Sequence, residues 1–467
     1  MMEMDGALLS RIQFAWTVSF HILFPTITIG LASYLAIMEG LWLKTRNPVY
    51  RAQLLFWIKP FAVTFGMGVV SGIVLSYEFG TNFSEFSQAT STVLGPLLTY
   101  EVLTAFFLEA GFLGIMLFGW NRVSERMHFV ATVIVAIGTI ISAFWILAAN
   151  SWMQTPAGAV LDKQGVFQVV SWMEVIFNPS FPYRLVHMLL ASFLTVSFLI
   201  AGVSAWHIRK DRQNPVAQKG LSVALWAALV LAPLQAWVGD LHGLNVLEHQ
   251  PIKVAAMEGI WETEQGAGLR LFAVPDQEQE TNHFEVKIPY LASLILTHDA
   301  QGTLQGLKSV PADERPPVAV VFYSFRIMVG IGMLMLLAAV VGAWLRWRGN
   351  LYSANWFHKG LQWMIPAGLV ATLAGWYVVE VGRQPWLVHG FLRTNDMVSA
   401  HPEQRVLFTL ILFVIVYSLL FAVYLYFMCK LLKRLPSIDA TVDEKESIKS
   451  QSAEYLTTSS TTTGIPS

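Results

Sequence analysis

Residues 97–112 read LLTYEVLTAFFLEAGF, an apolar, membrane-type stretch that carries two carboxylates, Glu101 and Glu109. Three other apolar stretches each hold one ionisable side chain: His21 in FHILFPTITIG, His187 in LVHMLLASFLTV and Glu380 in LAGWYVVEVG. A charge near the centre of a bilayer costs a few kcal/mol or more, so such residues usually mark an ion path, a proton relay or a cofactor ligand. A polar side chain satisfied by a neighbouring helix explains any one of them about as well. Together, however, these residue types favour metal binding or proton transfer.

The composition is that of a polytopic membrane protein. Of the 467 residues, 55% are hydrophobic and 13% are charged, with a mean hydropathy of +0.53. A soluble domain has about 25% charged residues. The formal net charge of −1 argues against a nucleic-acid partner. The single cysteine, Cys429, excludes an intrachain disulfide framework and a cysteine-built metal or iron–sulfur site.

Apolar segments of about 20 residues or more, enough to cross a membrane, predict an all-α polytopic fold with nine transmembrane helices. The predicted spans are residues 12–42, 54–80, 94–120, 127–150, 182–207, 219–241, 319–346, 358–381 and 404–432. Between helices 6 and 7 lies a long loop. The chain therefore divides into residues 1–241 (helices 1–6), 242–318 (the loop), 319–434 (helices 7–9) and 435–467, which we expect to be a disordered cytoplasmic tail.

The distribution of basic residues predicts the orientation, because cytoplasmic loops carry an excess of Lys and Arg. The loops after helices 1, 3, 5 and 7 and the tail after helix 9 are rich in them, whereas residues 81–93 have none and residues 151–181 have Lys163 alone. The sequence therefore predicts an outside N-terminus, a cytoplasmic C-terminus and an outer position for the 242–318 loop.

This orientation places five potential axial ligands for haem iron in the outer half of the membrane: His21, Glu101, His187, Met328 and Glu380. Histidine with methionine is a ligand pair for low-spin haem iron, although a methionine in a membrane helix is most often core filler. Arg326 lies two residues before Met328, and a buried guanidinium needs an anion such as a haem propionate.

The spacing of Glu101 and Glu109 predicts a proton relay. In an α-helix, residues eight apart are offset by about 80° around the axis and about 12 Å along it. One or two waters could connect the carboxyls, and Ser142 and Asn150 on the next span could extend the line. The alternative is two unrelated interhelical hydrogen bonds.

Two further groups of residues have weaker signals. Trp376 and Glu380 lie four apart on one helix face, with Arg383 one turn later, and this combination suits a planar anionic cofactor. Lys253 and Glu258 in the outer loop fall on a possible short amphipathic helix. By themselves, these two residues are most simply ordinary surface charges.

Several segments in combination resemble subunit I of the cytochrome bd quinol oxidases. They are FGTNF (79–83), the Glu101–Glu109 span, WILAANSWMQTP (145–156), KVAAMEGIWET (253–263), YSFRIM (323–328) and GRQPW (382–386). The resemblance covers residues 8–430, and the short outer loop is similar to that of the branch containing the cyanide-insensitive oxidases. It implies a low-spin haem b, a high-spin haem b and a haem d, in an enzyme of the bacterial inner membrane that oxidises quinol outside and reduces dioxygen to water.

The resemblance also implies roles for individual residues. It makes His187 and Met328 the ligands of the low-spin haem b, and His21, Glu101 and Glu380 those of the two high-spin haems, without deciding which haem His21 holds. Lys253 and Glu258 match the loop pair implicated in quinol oxidation. Arg326 and Arg383 match positions near haem propionates, Trp376 a residue between haems, and Glu109 with Ser142 a proton route.

Two positions depart from the family pattern and put its cytoplasmic proton entry in doubt: Asn121 stands in place of an aspartate, and Ala110 in place of a serine. The resemblance further implies a heterodimer with subunit II, a small single-helix accessory subunit, and ubiquinol or menaquinol as substrate. It leaves the choice of quinol and the sensitivity to cyanide open.

Two other classes of membrane protein would also place ionisable residues in spans. A secondary transporter usually shows inverted repeats, and none is visible. A di-haem quinone-linked anchor needs paired histidines on facing helices, and mid-membrane histidines are few here. The absorption bands of haem b and haem d in purified membranes would discriminate between these classes.

Overall fold

The computed structural model describes residues 6–438. Its first helices are α1 (Gly6–His21), α2 (Leu23–Thr45), α3 (Pro48–Thr81), α4 (Ser84–Ala89), α5 (Ser91–Glu101), α6 (Phe107–Phe118), α7 (Glu125–Gln154) and α8 (Trp172–Ile176). The rest are α9 (Phe181–Lys210), α10 (Pro215–His249), α11 (Pro251–Glu258), α12 (Leu291–Thr297), α13 (Val318–Trp347), α14 (Asn355–Trp363), α15 (Ala367–Val381) and α16 (Glu403–Leu432). The predicted disordered tail lies outside the described residues from position 439 onward.

The prediction of nine spans is confirmed for the described part of the chain. The segments long and apolar enough to cross a membrane are Gly6–Thr45, Pro48–Thr81, Ser91–Phe118, Glu125–Gln154, Trp172–Lys210, Pro215–His249, Ala312–Trp347, Asn355–Val381 and Glu403–Leu432. The sixth continues past its predicted end at residue 241 as far as His249. The outer connection is therefore shorter than the sequence indicated.

Three of the long helices begin with a polar capping residue in a short loop on the predicted cytoplasmic side. Asn47, Ser124 and Asn214 precede α3, α7 and α10, and each side chain accepts a hydrogen bond from a backbone N–H in the first turn. Such caps satisfy donors that have no partner within the helix. Proline at the first position of α3 and α10 adds a favourable backbone angle there.

The first, third and eighth spans contain breaks in the α-helix. The first breaks at Ile22, directly after His21, and the eighth breaks before Pro366. The third contains a π-helical turn, Val102–Phe106, directly after Glu101. Irregular backbone at membrane depth is tolerated where it is enclosed by protein or lines a cavity, and π turns are frequent at functional sites. Two predicted ligands thus sit where regular helix ends.

The first and fifth spans form the centre of the bundle, since 61% and 67% of their most apolar windows are buried, against 17% for the third and ninth spans. A glycine at the contact between α2 and α9 allows these two central helices to approach closely. At Gly30 of α2, a Cβ would lie 2.5 Å from the Val196 side chain of α9. The third and ninth spans therefore present much of their apolar surface outward.

The all-α prediction holds for the spanning part, while the connections add small sheets. The described strands are β1 (Ala159–Leu161), β2 (Phe167–Val169), β3 (Glu264–Gln265), β4 (Leu269–Asp276), β5 (Thr281–Ile288), β6 (Thr303–Leu304), β7 (Trp386–Val388) and β8 (Leu392–Arg393). They pair antiparallel as β1–β2, β3–β6, β4–β5 and β7–β8. The connection between the sixth and seventh spans is thus folded, with α11, α12 and two of these sheets.

Candidate functional site

A cavity of about 1380 Å³ lies among the spans. This volume exceeds the range of about 300–1,000 Å³ typical of small-molecule sites. All the predicted site residues except Arg326 line it: His21, Glu101, Glu109, Ser142, His187, Lys253, Glu258, Met328, Trp376, Glu380 and Arg383. The fold therefore brings together side chains that are up to 362 positions apart, from His21 to Arg383.

The two histidines are held by polar neighbours on facing helices. His21 Nδ1 lies 2.9 Å from the Ser71 hydroxyl, and His187 Nε2 lies 3.2 Å from the Gln235 side-chain nitrogen. His187 Nδ1 makes no hydrogen bond within the described residues. Hydrogen bonds of this kind fix the orientation of an imidazole that ligates a metal.

Glycines on the facing helices allow close approach to three of the donors. A Cβ at Gly72 would lie 3.1 Å from His21, one at Gly239 3.3 Å from His187, and one at Gly375 2.9 Å from the Met328 sulfur. Each donor thus rests against bare backbone.

The π turn changes the geometry of Glu101 and Glu109. The predicted offset of about 80° assumed a continuous α-helix and is wrong, because the N–H of Phe107 bonds to the carbonyl of Val102, five residues back. A π turn holds one extra residue, so the two carboxylates are related approximately as residues seven apart, with an offset of about 20°.

Both carboxylates consequently meet α7 one helical turn apart. Glu101 accepts a hydrogen bond of 2.7 Å from Ser142, while the Glu109 side chain packs on Gly138, where a Cβ would lie 2.5 Å from its Cγ. Glu109 is 6% exposed, and its Oε1 has no hydrogen-bond partner in the described part of the chain. This poorly satisfied carboxyl suits a group that exchanges protons.

A dense polar network surrounds Glu380 at the other end of the cavity. Asn150 and Gln154 donate to its Oε1 at 3.0 and 3.3 Å, and Arg383 donates to its Oε2. Lys253 Nζ donates to Gln154 at 2.6 Å. Burial lowers the pKa of the Lys253 ammonium well below its usual range, and positive neighbours add to the effect.

The structure separates Glu258 from Lys253, although α11 carries both. Glu258 pairs with Arg326 at 3.2 Å, and burial raises the pKa of its carboxyl against the opposing effect of that guanidinium. Arg326 also donates to the carbonyls of Met257 and Arg270. The guanidinium is therefore directed at the outer connection, and Arg326 is not among the residues lining the cavity.

Sequence reasoning missed several polar residues of the cavity, above all Arg184, Gln154 and Gln235. Arg184 lies one turn before His187 and is 6% exposed, but an arginine near the end of a span is ordinarily expected to extend toward the interface. The position of Gln154 within WMQTP did not indicate that its side chain lines the cavity.

The donor set fits haem better than a bare metal ion. No three His, Cys, Asp or Glu side chains of residues 6–438 converge on a metal-ion site. A haem needs only one or two axial ligands from the protein, so isolated imidazole, thioether and carboxylate donors around a large cavity are what it requires. Within the described part of the chain, His187 Nδ1 and Arg383 Nε and Nη1 have no hydrogen-bond partner, which fits a metal ligand and an anion-binding group, respectively.

These features define a multi-pass membrane redox protein, and comparisons with known proteins identify its family. The sequence profile described as "Cytochrome bd terminal oxidase subunit I" matches residues 9–436. The chain is 36% identical over 442 residues to "Cytochrome bd ubiquinol oxidase subunit 1" of Bacillus subtilis, covering 92% of this chain and 94% of that one. It is 34% identical over 498 residues to "Cytochrome bd-II ubiquinol oxidase subunit 1" of Escherichia coli, covering 92% and 96%.

A solved structure agrees. The bd oxidase from Geobacillus thermodenitrificans superposes with a TM-score of 0.85 at 32% identity, covering 93% of this chain and 100% of the other. The chain belongs to the family of cytochrome bd terminal oxidase subunit I. It is thus an oxidoreductase subunit of a respiratory chain, and the resemblance read from its motifs is confirmed.

Proposed function

We propose that this subunit oxidises quinol at the outer face of the bacterial inner membrane and reduces dioxygen to water with protons from the cytoplasm. The enzyme class, quinol:oxygen oxidoreductase, follows from family membership. The observation that carries the proposal is the single cavity that joins the haem-type donors, the carboxylate pair and the charged outer groups. Protons would be released outside and consumed from inside, so charge is separated without a pump.

The cofactors would be two haem b, one low-spin and one high-spin, and one haem d. Bound haem supplies one-electron transfer and an iron position for dioxygen. His187 and Met328 would hold the low-spin haem, and methionine raises its potential. His21, Glu101 and Glu380 would hold the other two. Trp376 and Arg383 line the same cavity, where an indole and a guanidinium can contact planar, anionic groups.

Glu109, Ser142 and Glu101 would carry protons from the cytoplasmic side toward the haems. Ser142 bonds Glu101, and the Glu109 side chain lies one turn away along α7. The free Oε1 of Glu109 can accept a proton from the cytoplasmic side and deliver it. Because Asn121 cannot ionise and Ala110 has no hydroxyl group, the entry to this relay would depend neither on a carboxylate at position 121 nor on a hydroxyl at position 110.

Quinol would be oxidised beside α11. Glu258 is a buried carboxylate with a raised pKa, which can accept a quinol proton, and the resemblance implicates Lys253 in the same step. The relatives are named for ubiquinol and, in one case, menaquinol, and either is compatible with this site. The orientation, with the N-terminus outside and the C-terminus in the cytoplasm, rests on the distribution of basic residues.

The partner would be subunit II in a heterodimer, with a small single-helix accessory subunit. The exposed apolar faces of the third and ninth spans, of which only 17% of the most apolar window is buried, provide surface for another subunit or for lipid.

A haem assay tests the proposal directly. The purified complex should contain haem b and haem d by pyridine haemochrome and should consume oxygen when given quinol. Met328→Leu should convert the low-spin haem toward high spin and leave the other bands in place. A complex without tetrapyrrole, or a Met328→Leu spectrum identical to the wild type, contradicts the proposal.

A further inference from the structure

The hairpin of β4 and β5, in the connection between the sixth and seventh spans, exposes a cluster of apolar side chains. Phe272, Phe284, Val286 and Ile288 are all exposed, and Phe284 is 82% exposed. Phe272 pairs with Val286 across the two strands, and Ile288 lies two residues beyond Val286, on the same side of the strand. An exposed apolar patch of this kind marks a contact with another protein or with a membrane.

The charged side chains of the hairpin pair within the connection. Arg270 of β4 is 4% exposed and forms ion pairs with Glu285 of β5 and, at 2.6 Å, with Glu264 of β3. Lys287 lies 3.3 Å from the same Glu285. The hairpin is therefore amphipathic, because its ion pairs hold the charges while its apolar side chains are directed outward.

Hydrogen bonds to the seventh span fix the direction of the hairpin. Gln277, next to the turn, accepts a bond of 3.2 Å from the backbone N–H of Val318, where α13 begins. Tyr323, five residues further into α13, donates to the Ala273 carbonyl of β4 at 3.0 Å. The hairpin thus runs alongside the span, with its turn at the helix start and its open end nearer the centre of the membrane.

A third contact sets the depth of the open end. Arg326 Nε of α13 donates to the Arg270 carbonyl at 2.8 Å. The basic end of this span is at Arg346, and a helix needs about 20 residues to cross the hydrocarbon core, which counts back from Arg346 to position 326. The Arg270 end of the hairpin therefore reaches the boundary between the hydrocarbon core and the outer headgroups.

The apolar surface of the hairpin lies beside the membrane-facing surface of the seventh span. Val320, Tyr323 and Ile327 of α13 are exposed, and only 22% of the most apolar window of this span is buried. A hairpin held against these residues shares their apolar surroundings. It cannot lie deeper, because the open edges of a two-stranded sheet need water or headgroups as hydrogen-bond partners.

We infer that the β4–β5 hairpin lies in the membrane interface, with Phe272, Phe284, Val286 and Ile288 inserted among the outer ends of the lipid acyl chains. An amphipathic element with aromatic and aliphatic side chains on one face binds at this depth. The ammonium of Lys287 can extend to the headgroups while its stem covers apolar surface. The connection would then contact the membrane through this sheet in addition to the spans.

The test measures collisions of a spin label with oxygen and with a water-soluble nickel chelate, in the intact complex in lipid nanodiscs. Labels are attached to Phe284→Cys and Val286→Cys in a Cys429→Ser background, because Cys429 is the single cysteine of this chain. The labelled background complex is the blank. For both positions, the ratio of oxygen to nickel collisions should exceed that of the control about fivefold or more, because hydrocarbon excludes the polar chelate.

Glu278→Cys is the matched control, because Glu278 is an exposed residue in the turn of the same hairpin and should collide freely with the chelate. Equal ratios at positions 278, 284 and 286 overturn the inference, since the whole hairpin would then lie in water. Labels at 284 and 286 that collide with neither reagent also overturn it, since another subunit would then cover the hairpin.

Either of the two labelled positions decides the question if the other variant fails to assemble. No quinol is added, so the measurement requires no turnover. A complex that lacks haem or does not oxidise quinol would refute the proposed function and leave the collision ratios unchanged, which keeps the two failures distinct.

Discussion

The two ends of the cavity hold their carboxylates in opposite ways. At the Glu380 end, both oxygens of Glu380 are hydrogen-bonded and its ion partner Arg383 is 4% exposed. On the third span, Glu109 has an oxygen without a partner within the described residues, and Glu101 has one serine hydroxyl. A saturated carboxylate is fixed in place, whereas a poorly satisfied one is free to change its proton. This difference supports the proposal that the Glu380 end of the cavity positions a cofactor and that the carboxylate pair moves protons.

The largest effect should follow from breaking the outer network. Arg383→Leu leaves Glu380 without its ion partner in a largely buried place, and removing one partner of a buried pair costs about 3–5 kcal/mol. We expect a lower melting temperature and loss of bound haem, measured by thermal unfolding of the purified complex and by pyridine haemochrome.

Arg393→Leu is the control for that substitution. Arg393 pairs with Asp313, whose side chain is 66% exposed, and exposed ion pairs contribute little. A similar loss of stability in both variants would show that the outer network has no special role.

The carboxylate pair should respond in activity rather than in stability. Glu109→Ala removes the proton carrier, and loss of a positioned acid–base group typically costs about 10²–10⁴-fold in rate. We therefore expect oxygen uptake to fall at least about a hundredfold while the reduced spectrum of the low-spin haem stays intact. Wild-type turnover would remove Glu109 from the relay.

The π turn offers a sharper test of the same pair. Deletion of Leu103 makes the spacing seven residues in a regular α-helix, which keeps the offset near about 20° and should keep turnover within about threefold of wild type. Insertion of one alanine after Leu103, with the π turn retained, makes the spacing equivalent to eight regular residues, which raises the offset to about 80° and should lower turnover about tenfold or more. Equal activities in the two variants would mean that alignment of the carboxylates is irrelevant.

The smallest effect concerns pH at the quinol site. Burial raises the pKa of Glu258, and Arg326 opposes that rise. Because only the carboxylate can accept a proton, kcat/KM for quinol should fall on acidification at a higher pH than an ordinary glutamate, with its pKa of about 4.3, would give. Arg326→Gln removes the opposing cation, so the acid limb should move to still higher pH. A limb that does not move excludes Glu258 as the acceptor.

The sequence predicted the bundle well because crossing a membrane imposes long apolar helices, and the nine spans were evident from length and hydropathy. It also predicted that His21, His187 and Glu380 would lie together, since ionisable side chains within membrane spans almost always face the interior of the bundle rather than lipid. The π turn Val102–Phe106 was not predictable from periodicity, because the apolar pattern of the Glu101–Glu109 segment does not distinguish an α-helix with one extra residue from a regular one. The separation of Lys253 from Glu258 likewise depends on tertiary contacts.

The direction of the Arg326 side chain also depends on tertiary contacts that the sequence does not reveal. Its two-residue distance from Met328 indicated a cofactor contact, which stays a prediction, whereas its hydrogen bonds to the carbonyl groups of Met257 and Arg270, in a connection far away along the chain, were not predictable from spacing. Side-chain direction on a helix depends on such neighbours as well as on spacing.

The glycines opposite His21, His187 and Met328 have a practical consequence for engineering. Alanine at position 72, 239 or 375 would add one methyl group at 3.1 Å from His21 Cε1, 3.3 Å from His187 Cε1 or 2.9 Å from Met328 Sδ, closer than relaxed carbon contacts of about 3.5–4.0 Å. Each substitution would therefore displace a proposed haem ligand by a fraction of an ångström without altering its chemical identity. Such variants would allow the colour and electron affinity of individual cofactors to be tuned one at a time.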